Sequence, residues 1–270
     1  KRHPSMITVN DIQSLFSSFT TTKIGVVGDI MLDTYWWGVV DRISPEAPVP
    51  VVSLQRKETR VGGAANVALN LRALGAPTTL FSVIGKDAEG TELASLLNKE
   101  GINTSYIHSS DTRVTTNKVR IMGRNQQMMR LDHEHTNDIT SEQEAALLAS
   151  FYKYVDTENP SLIILEDYNK GVLTPNIITS VIDYCNEKGI PTAVDPKQKN
   201  FLAYKNCTLF KPNLKELKDG LKIEFNHLSD DQLVAASKEL KNKINANAVL
   251  ITLSEHGVFL MDSEKNYKIP

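Results

Sequence analysis

Polar side chains follow several short apolar runs in this sequence, each within a few residues of the end of the run. Carboxylate and amide oxygens can hold hydroxyl groups or a hydrated cation, and lysines can hold anions. Any one of these residues could instead cap a helix or lie in a surface turn. Their recurrence after successive runs indicates one shared site. The residues are Asp29, Asp33, Asp167, Lys170, Asp195, Lys197, Asn213, Glu216, Thr252 and Ser254.

A pair of glycines with a nearby asparagine forms a second candidate, in the stretch RVGGAANVALNLRALGA, residues 60–76. Gly62 and Gly63 lack a Cβ, so a ligand or another chain segment can come close to the start of the following helical pattern. Asn66 lies in the first turn of that pattern. Its amide both donates and accepts, which suits hydroxyl groups better than phosphate. The alternative is tight helix–sheet packing with a cap.

Known phosphate-binding loops do not explain this stretch. It lacks the GxxxxGK[ST] pattern of a P-loop. It also does not match the GxGxxG dinucleotide fingerprint, which directly follows a strand, and we expect no strand immediately before these glycines. A nicotinamide-dependent oxidoreductase is therefore a poor hypothesis for this sequence.

The elements that carry these residues alternate between strands and helices. Amphipathic stretches end at Gly75, Gly101 and Gly189, and glycine is typical of the position after a helix. The alternation predicts an α/β fold with a central, mostly parallel sheet and helices on both faces. Short β-branched runs predict its strands at 23–29, 78–85, 161–167, 190–196, 207–213 and 248–254.

Two segments, residues 34–58 and 112–134, interrupt this alternation. The first is aromatic, β-branched and punctuated by prolines, and the second alternates Thr, Val and Ile with Lys, Arg and Asn. Both patterns predict hairpins. We expect the two hairpins to form a small β lid across the carboxyl ends of the parallel strands, where open α/β sheets bind ligands.

Composition excludes several classes of protein. The chain has 270 residues, a formal net charge of −2 and 41% hydrophobic residues, which is enough for one large core. A near-neutral charge argues against a nucleic-acid or polybasic membrane role, and no apolar run reaches the ~20 residues of a bilayer span. Residues 1–19 predict an amphipathic helix rather than a signal peptide. Cys185 and Cys207 indicate a reducing compartment, and HEH at 133–135 is interpreted as a solvated turn.

Six motifs occur in the order found in the ribokinase-like (PfkB) carbohydrate kinases, and the chain resembles that family from about residue 23 to residue 270. The motifs are GDIMLD, GGAANVALNLRALG, EDYNKG, DPK, KPNLKE and TLSEHG. Two further stretches, RISPEAPVPVV and RNQQMMRLD, are similar to the kinases of D-glycero-D-manno-heptose 7-phosphate. Those kinases form the kinase half of a bifunctional ADP-heptose synthesis protein or a separate enzyme. The resemblance implies one ribokinase-like domain over residues 1–270 with a β lid.

The resemblance also distributes the candidate residues among subsites. Glu216, together with Asn213, would organise Mg²⁺ through its waters, which fits the water-rich shell of that ion. Ser254 stands where many relatives have glycine. The implied sugar and sugar-phosphate set is Asp33, Gly62, Gly63, Asn66, Asp167 and Lys170. The implied ATP-binding set is Asp195, Lys197, Asn213, Thr252, Ser254 and Gly257.

Basic residues of the second hairpin are candidates for the 7-phosphate of the substrate. A phosphate dianion requires cationic partners, and the guanidinium group offers a bidentate fork. Lys118 and Arg120 lie on one strand face because they are two residues apart. The alternative is protection of an edge strand by charge. The full set is Lys118, Arg120, Arg124 and Arg130.

Trp36 and Trp37 in the first hairpin have two possible roles. They could cover the sugar, or they could pack in a contact between the lids of a homodimer, which relatives often use. We expect a homodimer through the lid.

The implied reaction transfers the γ-phosphoryl group of ATP to O1 of the heptose 7-phosphate. It would give the 1,7-bisphosphate in cytoplasmic ADP-heptose synthesis for lipopolysaccharide. One alternative is another PfkB kinase, acting on ribose, a fructose phosphate or a nucleoside. A second alternative is a catalytically silent sugar-phosphate binder.

The GAGD element of this family does not occur before Pro270. In the family its glycines form an anion hole at a helix N-terminus, and its aspartate is the base. We therefore expect a kinase domain truncated at its C-terminus, without full activity, and we assign no catalytic base.

Overall fold

The computed structural model describes residues 8–124, 126–225, 229–262 and 265–270. The helices are α1 (Val9–Phe19), α2 (Ala64–Ala73), α3 (Ala88–Lys99), α4 (Ser141–Glu158), α5 (Pro175–Lys188), α6 (Leu214–Leu221) and α7 (Asp230–Ile244). The strands are β1 (Ile24–Gly28), β2 (Ile30–Ile43), β3 (Pro50–Gly63), β4 (Thr78–Gly85), β5 (Asn103–Ser110), β6 (Asn117–Gly123), β7 (Gln126–His133), β8 (Leu162–Glu166), β9 (Thr192–Asp195), β10 (Leu209–Phe210), β11 (Ala248–Thr252), β12 (Val258–Met261) and β13 (Asn266–Ile269).

The central sheet has the strand order β13-β12-β11-β10-β9-β8-β1-β4-β5. Strands from β11 to β5 pair in parallel, and β12 and β13 extend one edge in antiparallel orientation. Val26 and Val27 of β1 point to opposite faces and belong to different apolar clusters. Helices α2 and α3 contribute to one cluster and α4 to α7 to the other. This arrangement confirms the predicted α/β class with helices on both faces of a mostly parallel sheet.

A second sheet, in the order β3-β2-β6-β7, contains both predicted hairpins and is called the lid below. One hairpin spans Ile30–Gly63 and is longer at both ends than the predicted 34–58, and the other spans Asn117–His133. The two hairpins join through parallel pairing of β2 with β6. This pairing sets Asp33 opposite Lys118 and Tyr35 opposite Arg120. The register therefore brings residues of distant sequence motifs side by side.

Strand β3 runs directly into α2, so the expectation that no strand precedes the glycine pair is wrong. The Ala64 N–H at the start of α2 donates to the Asp29 carbonyl oxygen at 2.9 Å. The strand belongs to the lid rather than to the parallel sheet, and it pairs antiparallel with β2. The junction therefore differs from a βαβ unit, in which a strand of the parallel sheet precedes the helix.

Glycine is required at both positions of the pair because another segment of the chain packs closely against them. A Cβ on Gly62 would lie 2.3 Å from Asp33 Oδ2, and one on Gly63 would lie 2.3 Å from the Asp29 carbonyl oxygen. Gly63 also has φ 62°, in the left-handed region that favours glycine. The close neighbours of the glycine pair are therefore, in the first place, the Asp33 side chain of β2 and the backbone of Asp29 between β1 and β2.

The predicted amphipathic helix near the N-terminus is present as α1, and residues 1–7 lie outside the described part of the chain. Thr8 and Asp11 form a capping box that starts it. None of its residues is buried. Within the described ranges, the helices are all too short or too polar to cross a membrane.

Gly63→Ala should destabilise the fold more than Gly189→Ala. Both glycines have positive φ, but no atom lies within 4 Å of a Cβ built on Gly189. The control therefore carries only the left-handed strain, about 1–2 kcal/mol. The Gly63 variant adds a collision with the Asp29 carbonyl oxygen, for a total of roughly 3–5 kcal/mol. Urea unfolding at 25 °C measures both, and equal losses would show that the junction relaxes freely.

Candidate active site

A cavity of about 450 Å³ opens between the lid and the start of α2. It gathers residues from both lid hairpins, from the glycine pair and from the core loop after β8. The predicted residues that it contains are Asp33, Gly62, Gly63, Asn66, Lys118, Arg120 and Arg130. The remaining lining residues are Met31, Tyr35, Arg60, Val61 and Tyr168.

The Asp33 carboxylate and the Arg120 guanidinium form an ion pair at the wall of this cavity. Their side chains are 24% and 21% exposed, so water screens the pair only in part. The guanidinium group of Arg120 also lies 5.3 Å from the centre of the Tyr35 ring. Arg120 pairs with Asp33 Oδ1, so a residue of the second lid hairpin holds this carboxylate, while Oδ2 occupies the space that a side chain at Gly62 would fill.

Arg60 is a cavity residue that the sequence analysis missed. It lies opposite Asp33 in the β2–β3 register, with its guanidinium 5.3 Å from the Tyr35 ring centre. It forms an ion pair with Glu58. The sequence signal for Arg60 was the alternation of charged residues before the glycine pair. That alternation is informative only once the segment is known to be a strand.

Carboxylates of the lid pair with the cavity cations. Arg130 donates twice to Asp132, at 2.7 and 2.9 Å. Lys118 contacts both Asp132 and Glu134 at 3.2 Å. An anion that enters the cavity must therefore compete with carboxylates for these donors.

Three of the predicted substrate residues do not line the cavity. Arg124 lies at the tip of the β6–β7 hairpin, where its N–H donates to the Gly38 carbonyl oxygen at 3.1 Å. Asp167 is buried and accepts from Tyr204 Oη at 2.7 Å, and burial raises its pKa. Lys170 directs its ammonium group to Glu134 at 2.9 Å. Asp167 thus has structural partners in the core, and Lys170 lies beside the lid.

Asp29 has a role that the sequence did not assign. Its buried carboxylate accepts the N–H groups of Tyr168, Lys170 and Val172 at 2.9, 3.0 and 3.0 Å. Burial raises the pKa of Asp29, and these three hydrogen bonds oppose that change. Asp29 therefore holds the loop that carries Tyr168 to the cavity.

A second, larger cavity of about 1060 Å³ lies beside α6 and the turn after β11. Ser254 and Gly257 in that turn have φ of 55° and 80°. The left-handed conformation of Ser254 explains why glycine suits the same position. The predicted nucleotide residues that line it are Asn213, Thr252, Ser254 and Gly257, alongside Leu214, Lys215, Lys218, Asp219, Leu253, Glu255, His256 and Val258.

A chain of charged contacts links the two cavities. Lys197 Nζ lies 5.4 Å from the centre of the Tyr168 ring, which borders the first cavity, and 2.6 Å from Glu216 Oε1. Glu216 and Asn213 form a capping box at the start of α6, and Asn213 borders the second cavity. The helix-cap alternative is thus correct for this pair, and it does not exclude contact with a ligand.

Asp195 extends this chain toward the core. Its Oδ1 lies 3.7 Å from Lys197 Nζ, and its Oδ2 lies 2.6 Å from Lys211 Nζ. Among the described residues, no cluster of three or more His, Cys, Asp or Glu side chains could hold a metal ion. A cation at Glu216 would therefore take most of its ligands from water and phosphate, as Mg²⁺ does.

Glu166→Gln should change the pH dependence of stability. Burial, followed by repulsion from Asp195, raises the pKa of Glu166 to about 8. The folded protein therefore binds this proton more tightly, and it loses stability as the pH rises from about 4.5 to about 8. The variant lacks this loss, so its stability relative to the native chain should rise by up to ~1.4 kcal/mol per pH unit. Urea unfolding between these limits measures it, and parallel curves would contradict it.

The sequence pattern of the pfkB family carbohydrate kinases matches residues 21–270. The chain is 41% identical over 239 residues to the bifunctional protein HldE of Methylobacillus flagellatus, covering 88% of this chain and 48% of that protein. It is 38% identical over 250 residues to the protein of the same name from Geobacter sulfurreducens, covering 93% and 50%. The chain thus spans about half the length of the curated relatives it matches.

Solved structures share this fold. Phosphofructokinase-2 of Escherichia coli in complex with fructose-6-phosphate superposes with a TM-score of 0.71 at 20% identity, covering 92% of this chain and 79% of that one. Ribokinase of Arabidopsis thaliana complexed with ribose and ATP gives 0.68 at 18% identity, covering 92% and 77%. At such identities the likeness concerns the fold alone. The family match over nearly the whole chain is decisive: the chain belongs to the pfkB family of carbohydrate kinases.

Proposed function

We propose that this chain is a sugar-phosphate kinase that transfers the γ-phosphoryl group of ATP to O1 of D-glycero-D-manno-heptose 7-phosphate. The observation that carries the proposal is one cavity that combines a carboxylate, an amide and several cations beside a second cavity of nucleotide size. Relatives named HldE, at about 40% identity, and the lid motifs support the heptose phosphate over other sugars. The proposed setting is cytoplasmic synthesis of ADP-heptose for lipopolysaccharide.

The sugar would bind between the two lid hairpins and α2. Asp33 can accept from sugar hydroxyls while Arg120 keeps the carboxylate in place. The exposed Asn66 amide at the start of α2 can both donate and accept. Polar partners that a bound sugar would shield from water discriminate strongly against ligands that lack a matching hydroxyl.

The 7-phosphate would bind the cationic side of the same cavity. Guanidinium and ammonium groups that now contact lid carboxylates would contact phosphate oxygens instead. A phosphate dianion at this position would offset the charges of two cations. The lid carboxylates that it displaces would then be solvated at the rim of the cavity. The cations are Arg60, Lys118, Arg120 and Arg130.

ATP would occupy the cavity beside α6 and the turn after β11, with Mg²⁺ held through water by Glu216 and Asn213. When bound, Mg²⁺ supplies charge neutralisation to the phosphates. Lys197 lies between the two cavities and can donate to the transferring phosphoryl group. The anomeric hydroxyl would attack the γ-phosphorus in line while the bond to ADP breaks. None of these side chains is assigned as the base that accepts the hydroxyl proton.

A substrate panel tests the proposal. With ATP and Mg²⁺, the chain is assayed against heptose 7-phosphate, ribose, fructose 6-phosphate and a nucleoside, and calorimetry follows binding of each in parallel. We expect selective binding of the heptose phosphate, with phosphoryl transfer to O1 alone. Phosphorylation of ribose without any response to the heptose phosphate would refute the assigned substrate. Binding without turnover would favour the sugar-phosphate binder.

Asp33→Ala should weaken binding of heptose 7-phosphate by about 2–5 kcal/mol, because sugar hydroxyls lose an acceptor and Arg120 loses its partner. Calorimetry with the isolated chain measures this change. Asp41→Ala is the matched control, since Asp41 lies on the same strand, is exposed and is remote from the cavity lining. Unchanged affinity in the Asp33 variant would remove this residue from the site.

The lid also supports the proposed homodimer. Large apolar side chains are exposed on the two edge strands of the lid sheet and around the β2–β3 turn, and burying them against a second copy would favour association. A second copy of this chain is the proposed partner, and phosphofructokinase-2 of Escherichia coli has a tetrameric inhibited form. The exposed residues are Ile43, Val49, Leu54, Met128, Met129 and Leu131.

Met129→Glu should therefore shift the chain from dimer to monomer, because a carboxylate would be buried without a partner. Sedimentation velocity at micromolar concentration measures the mass. Leu74→Glu is the control, since Leu74 is an apolar residue of similar exposure outside the lid, 46% against 55%. A native chain that sediments as a monomer would end the dimer proposal.

A further inference from the structure

Glu134, the residue after β7, has no part in the proposed reaction as described above. Its carboxylate accepts from two lysines, through Oε1 from Lys170 Nζ at 2.9 Å and through Oε2 from Lys118 Nζ at 3.2 Å. The lysine side chains are 15% exposed and that of Glu134 is 19% exposed. Ion pairs with so little solvent contact are more effective than exposed surface pairs.

The two lysines belong to different parts of the molecule. Lys118 lies in β6 of the lid, opposite Asp33, and lines the substrate cavity. Lys170 lies in the core loop after β8, where its N–H donates to Asp29 at 3.0 Å and its carbonyl oxygen accepts from Arg113. The backbone of Lys170 is therefore fixed to the core, and its ammonium group reaches the lid through Glu134.

We propose that Glu134 is a positioning residue that ties the lid to the core and holds Lys118 at the wall of the substrate cavity. It does not line the cavity itself. Its two contacts set the position of the lid relative to the loop that carries Tyr168, which borders the cavity from the core side. Burial alone would raise the pKa of Glu134, but the hydrogen bonds from Lys170 and Lys118 outweigh it and lower that pKa, so the carboxylate stays ionised at neutral pH.

Glu134 could act through its charge alone or by positioning Lys118. These two roles predict opposite changes in the affinity for an anion when the carboxylate is neutralised. If only charge matters, loss of a carboxylate beside Lys118 raises the positive potential of the cavity, and an anion binds more tightly. If Glu134 positions the lysine, its loss lets Lys118 and the lid move, and an anion binds more weakly. The sign of the change in affinity therefore distinguishes the two.

The first test compares three variants of the same chain. Glu134→Gln keeps the shape but loses the charge, Glu134→Asp keeps the charge on a shorter side chain, and Glu187→Gln, at an exposed position of α5, is the control. We expect the Kd for inorganic phosphate and the KM for heptose 7-phosphate to rise about tenfold in Glu134→Gln. The rise should be smaller in Glu134→Asp and absent in the control, and kcat should change less than about threefold.

A second readout needs no ligand. Trp36 and Trp37 are the chain's two tryptophans, and both lie in β2, so tryptophan fluorescence reports on the lid alone. Glu134→Gln should lower the fluorescence anisotropy because the lid moves more freely. In the native chain, 1 M salt should lower the anisotropy to a smaller extent, because salt screens pairs with little solvent contact less than it screens exposed pairs. The measurement in 1 M salt uses the native chain, so it remains valid even if a variant folds poorly.

The kinetic readout and the ligand-free readout can be contradicted independently of each other. The kinetic arm rests on the proposed function, and a native chain that neither binds nor phosphorylates heptose 7-phosphate would count against that function. The phosphate affinity and the ligand-free anisotropy do not depend on which sugar is phosphorylated. Equal or tighter phosphate binding by Glu134→Gln, or unchanged anisotropy in both the variant and 1 M salt, would overturn the positioning role.

Discussion

The buried carboxylate of Asp29 connects the segments on which the candidate site depends. The carboxylate accepts hydrogen bonds from the N–H groups of Tyr168, Lys170 and Val172. The backbone carbonyl oxygen of Asp29 accepts a further hydrogen bond from the Ala64 N–H. A carboxylate without such donors would be costly in the interior, and the donors would be costly without an acceptor. The loop after β8, the start of α2 and the first residues of the lid therefore keep fixed positions relative to one another. The cavity exists because these segments meet around one residue.

Charge pairing within the lid explains how a cavity rich in cations is stable without a ligand. Asp33 pairs with Arg120, Asp132 with Arg130, and Glu134 with Lys118. These pairs restrict long side chains before binding, which reduces the entropy that binding removes. They also raise the free-energy cost of anion binding, because an anion must displace the carboxylates from these cations. A doubly charged phosphate meets that requirement better than a neutral sugar.

The charged contacts between the cavities give several residues two functions. Glu216 caps α6 and also holds Lys197, and Lys197 lies against the Tyr168 ring. A change in the cavity beside α6 can therefore reach the cavity under the lid through packed and charged neighbours. In the proposed mechanism, the same contacts keep Lys197 between the donor and the acceptor.

Much of the core was predictable from local patterns. Buried β-branched runs identified the parallel strands β1, β4, β8, β9, β10 and β11, but not the parallel strand β5, whose residues are mostly half-buried or exposed. Glycines after amphipathic stretches marked the ends of α2, α3 and α5. Helices α4, α6 and α7 were not named in advance, although capping boxes start each of them. None of the three ends at a glycine, since their left-handed C-caps are Asn159, Lys222 and Asn245, so the glycine signal that marked the other helices is absent.

The sequence by itself determined the fold class, the order of the motifs and the residue types available to a phosphorylated ligand. Those properties follow from periodicity and side-chain chemistry, which are local. Only the tertiary structure decided that Arg60 joins the cavity while Arg124 and Asp167 do not, and that Glu134 joins the lid to the core. These outcomes depend on strand register and on the parallel pairing of two hairpins that lie far apart in the chain. A shift of one residue would turn each side chain to the other face, so long-range pairing, not composition, selects which charges meet.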